Sequence, residues 1–131
     1  GNISENFKEH TLRGFHYQKP PSEESKIITC ITGSLFNVVI DLRKKSKTYL
    51  KTVSLKISSE KKESIYVPPG CANAFLTLSN NTIVHYYMGA SFNPMSYSGI
   101  RYNDPFFSIN WPFEPKIISN NDLNIPDFKV Q

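Results

Sequence analysis

From Ser25 onward the chain is a succession of short apolar-rich runs separated by turn residues, the pattern of strands rather than helices. Ser25 to Thr32 is rich in β-branched residues, Gly33-Ser34 follows, and Ser34 to Leu42 continues as a second run. Gly-Ser between two such runs predicts a hairpin. Tyr49 to Ile57 alternates, with Val53, Leu55 and Ile57 on one face and Thr52, Ser54 and Lys56 on the other. Ser64 to Val67 reads as a short strand stopped by Pro68-Pro69-Gly70. Ala74 to Leu78 and Thr82 to Met88 read as two more, joined by a turn that contains Asn80-Asn81. Beyond Met88, Pro94, Gly99, Pro105, Pro112, Pro115 and Pro126 break the pattern, and Asn120 to Leu123 reads as a single helical turn. Gly1 to His10 is polar and weakly patterned. Many short strands at close spacing predict an all-β sandwich or barrel. With no repeat, linker or low-complexity stretch, residues 1–131 read as one domain.

Parity along two of these runs bears on function. Lys26 shares a face with Ile28 and Cys30, and Tyr86 shares a face with Val84 and Met88. Inward-turned, those faces place a lysine and a phenol in an apolar cavity, where a lysine needs a partner or a task. Outward-turned, they are ordinary surface. Parity alone leaves both open.

Composition narrows the class. Hydrophobic residues make up 39% and charged residues 20%, the balance of a soluble globular domain. The net charge of +4 sits largely in Arg43-Lys44-Lys45-Ser46-Lys47 and in Lys56 to Lys62. These runs read as solvated turns or as an aid in attracting an anionic substrate. They lack interleaved stacking aromatics and any recognition motif, so no nucleic-acid partner is expected. No apolar run approaches membrane-spanning length and no signal peptide is visible, so the expected location is the cytoplasm, with no membrane partner. Cys30 and Cys71 form no paired motif and read as free thiols.

Candidate chemistry centres on the three histidines. His10 lies in the polar lead-in and is expected to be exposed. His85 falls on the strand face opposite Tyr86 and reads as structural. His16 lies in Thr11-Leu12-Arg13-Gly14-Phe15-His16-Tyr17-Gln18, which packs a cation, a glycine and an imidazole ahead of Pro20-Pro21. Taken alone, it is a structural histidine or a base. There is no His-x-His and no zinc spacing among the cysteines, so no metal is expected. Phosphate-binding glycine loops and a serine-nucleophile elbow are also absent from the sequence.

The order of motifs resembles the dTDP-4-dehydrorhamnose 3,5-epimerase family. The resemblance is carried by Thr11 to Gln18, Lys26, Gly33 to Arg43, and Tyr66-Val67-Pro68-Pro69-Gly70-Cys71-Ala72-Asn73-Ala74-Phe75. It continues through Gly99-Ile100-Arg101-Tyr102-Asn103-Asp104-Pro105, Ile109-Asn110-Trp111-Pro112 and Ile118 to Asp122. It implies a cupin-type jelly-roll β-barrel with an irregular C-terminal segment, a homodimer, and catalysis without metal or cofactor. It further implies an isomerase of polysaccharide biosynthesis that epimerises C3, C5 or both of a nucleotide-diphospho-4-keto-6-deoxy sugar. By the same resemblance His16 is the general base, Asp122 its carboxylate partner, Lys26 the cation at the sugar's C4 oxygen and Tyr86 the proton donor. Arg13, Gln18 and Asn73 fall at substrate-binding positions. Asn73 stands where the family usually has a second histidine. An amide keeps hydrogen bonding there but not charge, so altered substrate binding is expected. The lead-in before Leu12 is shorter than the family's, which leaves nucleotide recognition the least supported part of the expectation. A non-catalytic sugar-nucleotide binder and a 3,4-ketoisomerase on the same barrel are the alternatives.

Overall fold

The computed structural model describes residues 1–130. Its strands, in chain order, are β1 (Asn2–Asn6), β2 (Thr11–Gln18), β3 (Lys26–Thr32), β4 (Ser34–Asp41), β5 (Thr52–Ser58), β6 (Ser64–Val67), β7 (Cys71–Thr77), β8 (Thr82–Met88), β9 (Tyr97–Gly99) and β10 (Ile117–Ile118). A single turn of helix, α1 (Asn120–Leu123), follows. The strands form two sheets, one ordered β1-β8-β3-β6 and the other β10-β2-β7-β4-β5, with β9 also paired to β2. Strand pairing is antiparallel except between β10 and β2. This is the cupin-type jelly roll. Among the described residues no helix is long and apolar enough to cross a membrane.

Two cores result. Between the sheets, Ile28, Cys30, Ile65, Val67 and Val84 meet Leu35, Val39, Ile57, Cys71 and Phe75. Behind the second sheet, Phe15, Val38, Ile40, Ala72 and Ala74 are covered by the C-terminal segment through Ile100, Phe107, Trp111 and Phe128. The irregular third of the chain is therefore a lid on an apolar sheet face. Burial on both faces explains why every residue of β7 is buried and why it lacks polar alternation.

The fold differs from the sequence expectations in four places. The Gly33-Ser34 turn is not a hairpin, because β3 pairs with β6 and β8 while β4 pairs with β5 and β7. Gly33 instead turns the chain from one sheet to the other, at φ +88° and with no room for a Cβ beside Ser79 and Thr82. A turn signal marks a change of direction and says nothing of the pairing partner. The polar lead-in contains β1, an edge strand whose order comes from backbone pairing to β8 rather than from its own side chains. His10 is half-buried, its ring stacked on Phe113 at 4.2 Å, because the C-terminal segment returns over it. On β5, Ile57 enters the core, whereas Val53 and Leu55, on the same face, are about half exposed at the sheet edge. Both cysteines are free and buried; the first lysine-rich run lies in the loop after β4, and the second runs from the end of β5 into an exposed turn, with its lysines exposed.

Candidate active site

Strand β2 has to deliver two side chains to one cavity from positions of opposite parity. Arg13 and His16 are three residues apart, so a regular strand would send them to opposite faces. A β-bulge between Gly14 and His16 prevents this: Gly14 is opposite Ala74 and His16 is opposite Asn73, leaving Phe15 as the extra residue. Phe15 goes to the outer core, fully buried beside Trp111, and His16 rejoins Arg13 on the inner face. The bulge requires Gly14. Its φ is +104°, and a Cβ there would stand 2.5 Å from the Asn73 carbonyl oxygen.

His16 meets Asp122 from α1. Ser119 caps this turn, its hydroxyl oxygen accepting from the Asp122 N–H at 3.1 Å. One carboxylate oxygen lies 2.7 Å from His16 Nε2, and the other accepts from the Gly14 N–H at 3.1 Å. Burial would raise the Asp122 pKa, but the hydrogen bonds and charge of His16, with the Gly14 and Ser119 contacts, hold it below the ordinary 3.8. Asp122 therefore stays an acceptor. It accepts a hydrogen bond from the Nε2–H, the tautomer in which Nδ1 is the nitrogen free to take a proton.

The opposite sheet supplies the other groups. Lys26 and Tyr86 both turn inward, which settles the parity question: Ile28, on the Lys26 face, is directly paired with Tyr86. Lys26 Nζ is 3.5 Å from a Glu24 oxygen, and the two side chains are only 12% and 4% exposed. Burial pulls the Lys26 pKa down, and Glu24 opposes that fall. Arg13 is held by its Nε donating to Asn6 Oδ1 at 2.8 Å, and Asn6 in turn donates to the Thr82 carbonyl.

Arg13, His16, Lys26, Asn73, Tyr86 and Asp122 line one open cavity of about 720 Å³ between the sheets. Asn73 Oδ1 is buried there with no hydrogen-bond partner among the described residues. Gln18 does not line this cavity. Its amide donates to the Ser22 and Ser91 carbonyls and accepts from the Asn93 N–H at 2.7 Å, so it anchors the loop that leads into β9. Three further lining or supporting residues escaped sequence reasoning: Asn6, Glu24 and Tyr97. Only Glu24 left a signal, two residues before Lys26 and so of the same parity. Among the described residues, no three His, Cys, Asp or Glu side chains gather to hold a metal ion.

A jelly roll with a carboxylate-oriented imidazole, a buried ammonium and a phenol around one cavity defines a barrel with an acid–base site suited to proton transfer at carbon. The family model for dTDP-4-dehydrorhamnose 3,5-epimerase matches residues 1–130. The chain belongs to that family. The dTDP-4-dehydrorhamnose 3,5-epimerase of Shigella flexneri is 34% identical over 113 residues, covering 86% of this chain and 62% of that enzyme. The crystal structure of the Bacillus anthracis enzyme with TDP and PPi bound superposes with a TM-score of 0.93 at 33% identity, over 97% of this chain and 73% of that one. The dTDP-6-deoxy-D-glucose-3,5-epimerase of Legionella pneumophila in complex with dTDP-4-keto-L-rhamnose gives a TM-score of 0.85 at 29% identity, over 98% and 74%. The chain spans less than two thirds of the length of the first curated relatives it matches.

Proposed function

We propose that this chain inverts C3, C5 or both of a nucleotide-diphospho-4-keto-6-deoxy sugar. The observation that carries the reading is the 2.7 Å contact between His16 and Asp122 in the cavity that also holds Lys26 and Tyr86. A C–H beside a ketone is weakly acidic, so a base must be close and the enolate must be stabilised. His16 Nδ1 takes the proton, and Asp122 stabilises the resulting imidazolium. The electron pair moves onto the C4 oxygen, where the Lys26 ammonium stabilises it. The Tyr86 hydroxyl then gives a proton to the carbon from the opposite face, which inverts the centre. Solvent reprotonates Tyr86 and takes the proton from His16. Arg13 supplies positive charge for the diphosphate, and the Asn73 amide contacts the substrate where a histidine is usual in the family.

The relatives' names and the Legionella complex support the substrate class. A cytoplasmic homodimer active in polysaccharide biosynthesis accords with this reading. The outer face of the first sheet supports the dimer: Tyr87, Ile27 and Tyr66 form an exposed apolar row across β8, β3 and β6. Sedimentation at micromolar concentration tests that part. The activity is tested by incubating the protein with 4-keto sugar nucleotides in deuterated water and following C3 and C5 by NMR. Deuterium at either carbon, lost in His16→Ala, is the expected result. No exchange with tight binding would favour a non-catalytic binder, and a carbonyl moved to C3 would identify a ketoisomerase.

A further inference from the structure

The cavity holds a second phenol that the mechanism above does not use. Tyr97 begins β9 opposite Gln18 on β2. The loop before it is tied down by the buried Gln18 amide and by Asn93, whose side chain donates to Ser22 Oγ at 2.9 Å and accepts from the Met95 N–H at 3.1 Å. Ser96 and Tyr97 both donate their backbone N–H to the Asn93 carbonyl. Tyr97 is thus delivered to the cavity from a hydrogen-bonded turn. Its ring lies 5.5 Å from that of His16, and its other side meets Phe92, also at 5.5 Å. Its hydroxyl has no hydrogen-bond partner among the described residues. Burial, then the negative charge of Asp122 and Glu24, pushes its pKa up to about 12, so it is a poor acid and a persistent donor.

We propose that Tyr97 is a substrate-contacting residue whose hydroxyl donates a hydrogen bond to the sugar's C3 hydroxyl oxygen, holding the ring against His16. This rests on the epimerase reading. A 4-keto sugar carries oxygen at the carbonyl and, among the two carbons beside it, a hydroxyl only at C3. Lys26, on the other sheet, takes the carbonyl oxygen. A donor next to His16 is left with the oxygen on the carbon alongside. Tyr86 acts as the acid and Tyr97 as the donor that holds the ring.

The test is a coupling measurement. Wild type and Tyr97→Phe are compared on the 4-keto-6-deoxy sugar nucleotide and on its 3-deoxy analogue, by exchange at C3 and C5 in deuterated water and by calorimetric affinity. A neutral hydrogen bond is worth about 2- to 12-fold. The expected result is a loss of that size in kcat/KM and in affinity on the parent sugar, and none on the analogue. Tyr97→Ala, which also removes the contact with His16, loses activity on both. An equal effect of Tyr97→Phe on both sugars, or no effect on the parent, overturns the proposal. If the wild type binds both sugars but exchanges neither, the epimerase reading fails while the affinity coupling still decides the role of Tyr97. If neither sugar binds, both are overturned.

Discussion

Two buried aspartates, one at the end of β4 and one on the helical turn α1, show how the same group is used for structure and for chemistry. Asp41 ends β4 and closes the loop to β5. It accepts from the Arg43 backbone and guanidinium and from the hydroxyls of Ser46 and Thr48, both at 2.6 Å. Burial would raise its pKa, but these bonds outweigh it and hold the carboxyl well below the ordinary range. Every partner is a fixed donor. Asp122 is equally buried and also held below its ordinary value, but one of its partners is an imidazole that lines an open cavity. The difference lies in what the partner does next. Arg43 has no other state to adopt, whereas His16 can take up a proton and Asp122 is placed to stabilise it when it does.

The comparison predicts a separation between activity and stability. His16→Ala and Asp122→Asn should each lower kcat by about 10³- to 10⁴-fold in the exchange assay, with thermal midpoints close to wild type. A large fall in stability with Asp122→Asn would erase the distinction. Asp41→Ala should do the reverse. Leaving its donors without an acceptor costs about 2 kcal/mol, a drop of roughly 6–10 °C in Tm, while the folded protein keeps its turnover.

The pH dependence sharpens the contrast. Both aspartates bind protons more weakly folded than unfolded, where the ordinary value is 3.8. The unfolded chain therefore takes up more protons as the pH falls. The stability these groups contribute is fully present above about pH 4 and is lost as the pH drops through their folded values. Urea melts between pH 7 and pH 2 should show that acid limb, and Asp41→Ala should flatten it. Activity should fall on the alkaline side below the ordinary lysine value of 10.5, because burial lowers the pKa of Lys26 and a neutral amine no longer stabilises the enolate. The smallest effect concerns a buried polar group in neither class. Asn37 is fully buried between the sheets beside Phe75, and neither end of its amide has a partner among the described residues. Asn37→Val should raise stability by about 1 kcal/mol, read as a higher Tm. A loss there would mean that the amide is satisfied in solution.

Much of this molecule was legible in its residues. The runs from Ser25 to Met88, the Pro68-Pro69-Gly70 turn and the helical turn at Asn120 follow from periodicity and turn chemistry, which are local properties. The serial motifs pointed to the family and to Arg13, His16, Lys26, Asn73, Tyr86 and Asp122, which lie around one cavity. Pairing was not local. Gly33 marks a corner between sheets rather than a hairpin, and Gln18 anchors a loop instead of lining the cavity. Tyr97 carried no signal because its position depends on how β9 crosses β2.

By itself, the sequence determined which segments are extended, where they must turn, and which side chains were candidates for acid–base work, since each depends on neighbouring residues and covalent chemistry. Only the tertiary structure decided that Arg13 and His16 share a face. Strand parity forbids it, and the bulge at Phe15 permits it. That bulge exists because Gly14 can press against the Asn73 carbonyl while Phe15 fills a core made by β4, β7 and the C-terminal segment that covers them.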